Sequence, residues 1–177
     1  MVIEPLDLDG AAIIRLDRKA DERGYFARSF CADTFRTAGL PDEFPQHNIS
    51  FTSAAGSIRG LHFQIEPHQE PKVIGCTQGA IFDVIVDLRP GSKTHGQWFS
   101  AELSPENGDM LYAPPGFAHG FQTLRDNCTV SYMMGTRYLP GAAAGIRYDD
   151  PHLGILWPLP VSVISPRDLA LPLLSQI

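Results

Sequence analysis

Short β-prone segments, many of them closed by glycine or proline, run the length of this chain and leave few folds open to it. The clearest covers Ala80 to Leu88, where Phe82, Val84 and Val86 alternate with Ile81, Asp83, Ile85 and Asp87. An acid on an apolar face needs a partner, so Asp83 and Asp87 call for one. Further strands are expected at about 12–16, 24–30, 46–53, 57–64, 72–77, 97–103, 109–113, 117–124 and 128–138. The 15 Pro and 16 Gly are spread among all 177 residues, as many short strands and turns require. Only Asp33 to Ala38, closed by Gly39, and the stretch after Ser165 read as helical. The expectation is an all-β sandwich or barrel forming one domain over 1–177, with a Pro- and Leu-rich tail from about 159 packing back on it.

Two glycine–histidine patterns sharpen this. Gly56 is followed after five residues by His62, and Gly108 after five residues by Pro114, then Gly116 and, past two more, His119. These resemble the two motifs of the cupins, whose fold is a double-stranded β-helix, or jelly-roll, and whose barrel usually holds a metal. The first motif normally continues with a second His and then Glu; here position 64 is Gln and no Glu stands three or four residues beyond it. His62, His119 and Gln64 make a weak ligand set for a transition metal, so no metal or other cofactor is expected and the histidines are free for proton chemistry. Strict alternation along 57–64 puts His62 and Gln64 on one face and Arg59 on the other, unless Gly60 marks a bulge; plain close packing explains Gly60 equally well.

Composition removes several partners. A net charge of −6 without any Lys/Arg run speaks against nucleic acid. Cys31, Cys76 and Cys128 show no C-x-x-C spacing, which suits a reducing cytoplasm. The N-terminus has no basic, then apolar, leader pattern, and no stretch approaches the ~20 apolar residues of a membrane span. A soluble cytoplasmic protein without a membrane partner is expected.

Ordered motifs from near residue 20 to near 170 carry a more specific resemblance. They are Asp21-Glu22-Arg23-Gly24-Tyr25-Phe26, Gln46-His47-Asn48, Arg59 to Gln64, Lys72, Phe82 to Arg89, Gly116 to Phe121, Asp150-Pro151 and Gly154-Ile155-Leu156-Trp157-Pro158. On these the chain is identified as a member of the dTDP-4-dehydrorhamnose 3,5-epimerase family. The resemblance implies a metal-independent isomerase acting on a nucleotide-linked 4-keto-6-deoxyhexose. It also implies a homodimer in which the N-terminal region, about 1–30, is exchanged and residues 23–28 complete the neighbour's site.

Epimerisation beside a carbonyl needs a base on one face of the sugar, a proton donor on the other and positive charge near the enolate oxygen. Carried over by motif, His62 is the base, Asp168 its orienting carboxylate, Tyr132 the donor, with Tyr138 a rival, and Lys72 the enolate stabiliser. Arg23, Arg59, His119 and Arg167 are assigned to the diphosphate, where an Arg fork matches phosphate oxygens. Gln46, Asn48 and Tyr138 are substrate contacts by the same resemblance. The bland readings are a satisfied core His62, a core Tyr132, a surface acid at Asp168, an exposed Lys72 and a structural His119–Asp83 pair.

The departures matter too. Arg28 replaces an acid that contacts the nucleotide base in the family; Arg only donates, which suits a base edge rich in acceptors, such as cytosine. His47, Ala143 and Tyr148 also depart from the pattern. These three point toward a specialised member acting at C3 only or C5 only, or on a differently deoxygenated sugar, while Arg28 points toward a CDP-linked one. Two readings from other classes stand beside the epimerase: a metal-dependent cupin enzyme using His62, His119 and Gln64, and a silent sugar-nucleotide binding module.

Overall fold

The computed structural model describes residues 1–177. Its strands are β1 (Val2–Pro5), β2 (Ala12–Arg15), β3 (Lys19–Asp21), β4 (Gly24–Phe26), β5 (Gln46–Thr52), β6 (Ile58–Gln64) and β7 (Lys72–Gln78). They continue with β8 (Ile81–Asp87), β9 (Trp98–Leu103), β10 (Met110–Ala113), β11 (Phe117–Thr123), β12 (Cys128–Met134) and β13 (Ala143–Gly145). Two short helices, α1 (Ala32–Thr37) and α2 (Pro166–Leu169), complete it. One antiparallel sheet runs β1-β2-β10-β7-β12-β5 and a second runs β13-β6-β11-β8-β9; β3 and β4 pair only with each other. This is an all-β cupin-type barrel with a few short helices. β1, β3 and β13 lack an alternating apolar signal and went unread in the sequence.

The two sheets close on one core. Ile13, Ile74, Leu111 and Val130 from the first meet Ile81, Ile85, Leu103, Phe117 and Phe121 from the second. The outer faces are also covered, which is why β8 is apolar on both sides. Val84 and Val86 lie under the 146–157 segment, with Trp98 and Trp157 packed alongside. Across the barrel, Phe35 of α1 lies over Ile14, Val73 and Tyr112. The acids of β8 find the partners they need. Asp87 is fully buried and accepts from Arg89, Ser92 and Thr94 at 2.6–3.0 Å. These bonds outweigh burial and hold its carboxyl below the ordinary range.

Three local devices position the site. At Gly60, three residues of β6 span two of β11, since His62 pairs with His119 and Arg59 with Phe121. This bulge resolves the alternation problem, and Arg59 and His62 line the same pocket. Gly60 has φ +128°, and a Cβ there would stand 2.5 Å from Gly120 Cα. Gly60→Ala should therefore destabilise the fold by about 3 kcal/mol or more, from a strained backbone and a hard clash. Thermal denaturation should show a fall of roughly 10 °C.

The second device is the tail, which reaches the barrel through an Ile58–Ile164 bridge. Beyond α2 it is tied down where Arg147 N–H donates to the Pro172 carbonyl at 2.9 Å and Leu174 N–H to buried Asp150 at 2.6 Å. The third is Ser165, the N-cap of α2, whose Oγ accepts from Asp168 N–H at 3.0 Å. Bridge, cap and ties together bring Asp168 under β6.

Candidate active site

A pocket of about 660 Å³ opens at the barrel mouth. From β6 it receives Arg59 and His62, and from β11 His119; from the facing sheet come Asn48, Ser50 and Thr52 of β5, Lys72 of β7 and Tyr132 of β12. Arg167 and Asp168 of the tail close one side. Ligating and proton-transferring groups thus approach from both sheets.

His62 Nε2 lies 2.7 Å from Asp168 Oδ1. Asp168 is buried and its other oxygen accepts from Gly60 N–H at 3.3 Å. Burial opposes its ionisation, but the His62 hydrogen bond and charge, with the Gly60 and Ser165 contacts, hold its carboxyl below the ordinary value. A carboxylate on Nε2 fixes the proton there and leaves Nδ1 as the nitrogen able to take another.

Tyr132 stands on the opposite sheet. Its hydroxyl is 3.1 Å from Ser50 Oγ, and its ring meets His119 edge-on at 5.9 Å. Burial pushes the phenol well above its ordinary value, with the Ser50 hydrogen bond pulling the other way. It stays protonated at neutral pH.

Lys72 is no exposed lysine: it is 5% accessible. Its Nζ pairs with buried Glu70 at 3.0 Å and donates to the His62 carbonyl at 3.2 Å, which ties the cation to the strand carrying the histidine. Glu70 in turn accepts from Gln64 Nε2 at 3.1 Å, while Gln64 Oε1 accepts from Leu139 N–H at 2.7 Å. Glu70 escaped the sequence reading, although its place two residues before Lys72 was the available signal.

His119 Nε2 lies 2.7 Å from Asp83 Oδ1, deep in the barrel. Burial pushes the Asp83 carboxyl above its ordinary value against the pull of His119 and Lys72, and its Oδ2 has no partner. Both histidines therefore use Nε2 on a carboxylate and Gln64 is turned into its own hydrogen-bond network. No three His, Cys, Asp or Glu side chains converge anywhere. The residues present do not fit the metal that a cupin barrel ordinarily holds.

Arg59 is oriented by Thr52 Oγ1 at 2.9 Å and the Phe51 carbonyl at 3.1 Å. Other candidates lie outside the pocket of their own chain. Arg23 pairs with Asp21 on the β3–β4 hairpin, with its side chain 83% exposed. Arg28 is exposed and its Nη1 lies 4.0 Å from Cys31 Sγ. Gln46 Oε1 accepts from the Tyr138 backbone N–H at 2.6 Å, and Tyr138 is half-exposed. Of the departing positions, His47 is exposed on β5, Ala143 pairs with Gln64 in the β13–β6 ladder, and Tyr148 packs against Trp157. No helix is long and apolar enough to cross a membrane.

A cupin barrel that presents a carboxylate-backed histidine from one sheet, and a protonated tyrosine beside a buried lysine from the other, defines an acid–base isomerase. The family model described as dTDP-4-dehydrorhamnose 3,5-epimerase matches residues 5–176. The chain belongs to this family. It is 42% identical to dTDP-4-dehydrorhamnose 3,5-epimerase of Sinorhizobium fredii, across 100% of this chain and 91% of that protein. Against dTDP-4-dehydrorhamnose 3-epimerase of Streptomyces niveus the identity is 37%, across 99% and 85%. The solved structure of dTDP-6-deoxy-D-glucose-3,5-epimerase from Legionella pneumophila, in complex with dTDP-4-keto-L-rhamnose, superposes with a TM-score of 0.94 at 39% identity, covering 99% and 94%. The chain is an isomerase of the sugar-nucleotide epimerase type.

Proposed function

We propose that this site inverts C3 and C5 of a dTDP-linked 4-keto-6-deoxyhexose, the two carbons that the C4 carbonyl acidifies. The observation that carries the reading is one pocket with His62 backed by Asp168 on one sheet and protonated Tyr132 on the other. His62 removes the proton through Nδ1, and Asp168 holds the tautomer. Lys72 faces the enolate oxygen with a charge already fixed by Glu70, so little reorganisation accompanies reaction. Tyr132 then protonates the carbon from the opposite side. Arg59, Arg167 and His119 hold the diphosphate, and Asn48 contacts the substrate.

A thymidine nucleotide is favoured by the ligand in the Legionella structure and by the names of the relatives. The cytosine expectation rests on Arg28 alone, which stands outside the pocket of its own chain. Incubation with dTDP-4-keto-6-deoxyglucose in heavy water, followed by NMR, should give deuterium at C3 and C5 with inversion at both. The CDP counterpart run in parallel should react far more slowly. Label at one carbon only would make the enzyme a mono-epimerase; a CDP preference would return the base contact to Arg28.

A homodimer is part of this proposal. The β3–β4 hairpin pairs with no other strand, exposes Phe26 to 72%, and carries Arg23 away from its own pocket. Residues 23–28, with Arg23 and Arg28, then complete the neighbour's site, beside Gln46 and Tyr138. Mixing His62→Ala chains with Arg23→Ala chains should restore part of the activity that each lacks alone, because one site of the mixed dimer is intact. Strict additivity of the two inactive variants would rule out the exchange.

A further inference from the structure

Each inversion in the reaction proposed above leaves a proton on His62 and a phenolate on Tyr132. The phenolate is poorly provided for. Ser50 Oγ, at 3.1 Å, is the one hydrogen-bond partner of the Tyr132 hydroxyl. Burial disfavours the charged form, and nearby Asp83 opposes it further, with Arg59 acting the other way. His119 packs against the tyrosine ring in a T-shaped contact and uses Nε2 on Asp83. Tyr132 must therefore regain a proton quickly, and a second carbon cannot be inverted until it has.

Ser50 is placed for this. It lies on β5, the edge strand of its sheet, and alternation sets it beside Asn48 and Thr52 along the pocket wall. Ser50 is partly exposed and Asn48 exposed, whereas Thr52 is buried and holds Arg59. Asn48 and Ser50 thus line one continuous stretch of the pocket wall, along which water in the pocket reaches Ser50. A serine hydroxyl donates one hydrogen bond while accepting another through the same oxygen, which a relay requires; a methyl or thioether group has no such proton to pass, and an amide accepts and donates through different atoms.

We propose that Ser50 is the positioning residue through which water returns the proton to Tyr132 after each inversion. The Ser50 Oγ–H bond breaks as the Tyr132 Oη–H bond forms, and the serine oxygen takes a proton from a water molecule on its solvent side. The hydroxide left behind is neutralised by the proton that His62 releases to solvent. Nothing is oxidised or reduced, and the enzyme returns to its starting state. The inference rests on Tyr132 being the donor.

The test compares wild type, Ser50→Ala and Ser50→Thr in heavy water, under steady-state conditions and with enzyme in excess over dTDP-4-keto-6-deoxyglucose. In Ser50→Ala the first inversion should keep the wild-type rate, because resting Tyr132 is already protonated. Its steady-state kcat should fall about 10²-fold, at the lower end of general acid–base contributions, and singly inverted product should build up. Ser50→Thr keeps the hydroxyl and should run like wild type. An unchanged kcat in Ser50→Ala overturns the relay, since Tyr132 then refills without it. A first inversion slowed as much as kcat also overturns it, since Ser50 then only orients the ring. Absence of deuterium entry in wild type would instead remove the reaction itself, so the two failures are distinguishable.

Discussion

His62→Ala is expected to lower kcat by about 10³-fold and to abolish deuterium entry into the substrate, in line with the contribution of a positioned general base. Abstraction has no substitute here. His119, the other pocket histidine, is committed to Asp83, and Asp168 is held ionised beneath His62 rather than in reach of the sugar. Because Arg59, Arg167 and His119 stay in place, nucleotide binding should change little, so the loss falls on kcat rather than KM. The variant has a second signature. Removing His62 takes from the buried Asp168 carboxylate a hydrogen bond and charge that hold its pKa low. A depressed folded-state value contributes stability above the unfolded value, lost as pH falls through the folded one. Thermal melts should therefore show a wild-type advantage at neutral pH that shrinks below the ordinary carboxylate range. Deuterium entry at the wild-type rate in His62→Ala would assign the base elsewhere.

Tyr132→Phe should separate two events that wild type couples. His62 still takes the proton, exchanges it with solvent and returns it to the same face, so label enters the substrate without inversion. Inversion itself should fall by about 10²-fold or more, the lower end for loss of a general acid. Phe keeps the ring that packs against His119, and it leaves Ser50 only a solvent-side partner to find, so the fold should hold. The measured quantity is the ratio of exchange to inversion at C3 and C5 by NMR. An unchanged ratio would move the donor to another group, with Tyr138 the rival that the sequence offered.

The sequence announced much of this protein because its strongest signals are local. Alternation along Ala80 to Leu88 follows from the two-residue period of a pleated strand, so it predicts a strand and demands partners for Asp83 and Asp87 without reference to the rest of the chain. Motif resemblance carried His62, Lys72, Tyr132 and Asp168, since chemistry of this kind limits the residue types and relatives of one fold keep them in the same chain order. Weakly patterned pieces stayed silent. β13 is made of small residues and exists because β6 offers it an edge, while β1 and β3 are short and mostly exposed.

What only the tertiary structure decided is how residues far apart in the chain meet. His62 and Asp168 are 106 positions apart, and their 2.7 Å contact depends on a tail pinned by Ile58, Arg147 and Asp150. No local period could place Arg59 and His62 on one wall; a bulge at Gly60 does, and it is possible because glycine there faces glycine at position 120. Lys72 reads as a surface lysine until Glu70 and the His62 carbonyl are seen around it. Gln64 reads as a damaged metal ligand until its amide is found bound to Glu70 and Leu139. Strand, turn and residue type are set by nearest-neighbour sterics and hydrophobic period, which a sequence displays. Burial, pairing and proton affinity depend on what the closed barrel brings alongside, and they exist only once it has closed.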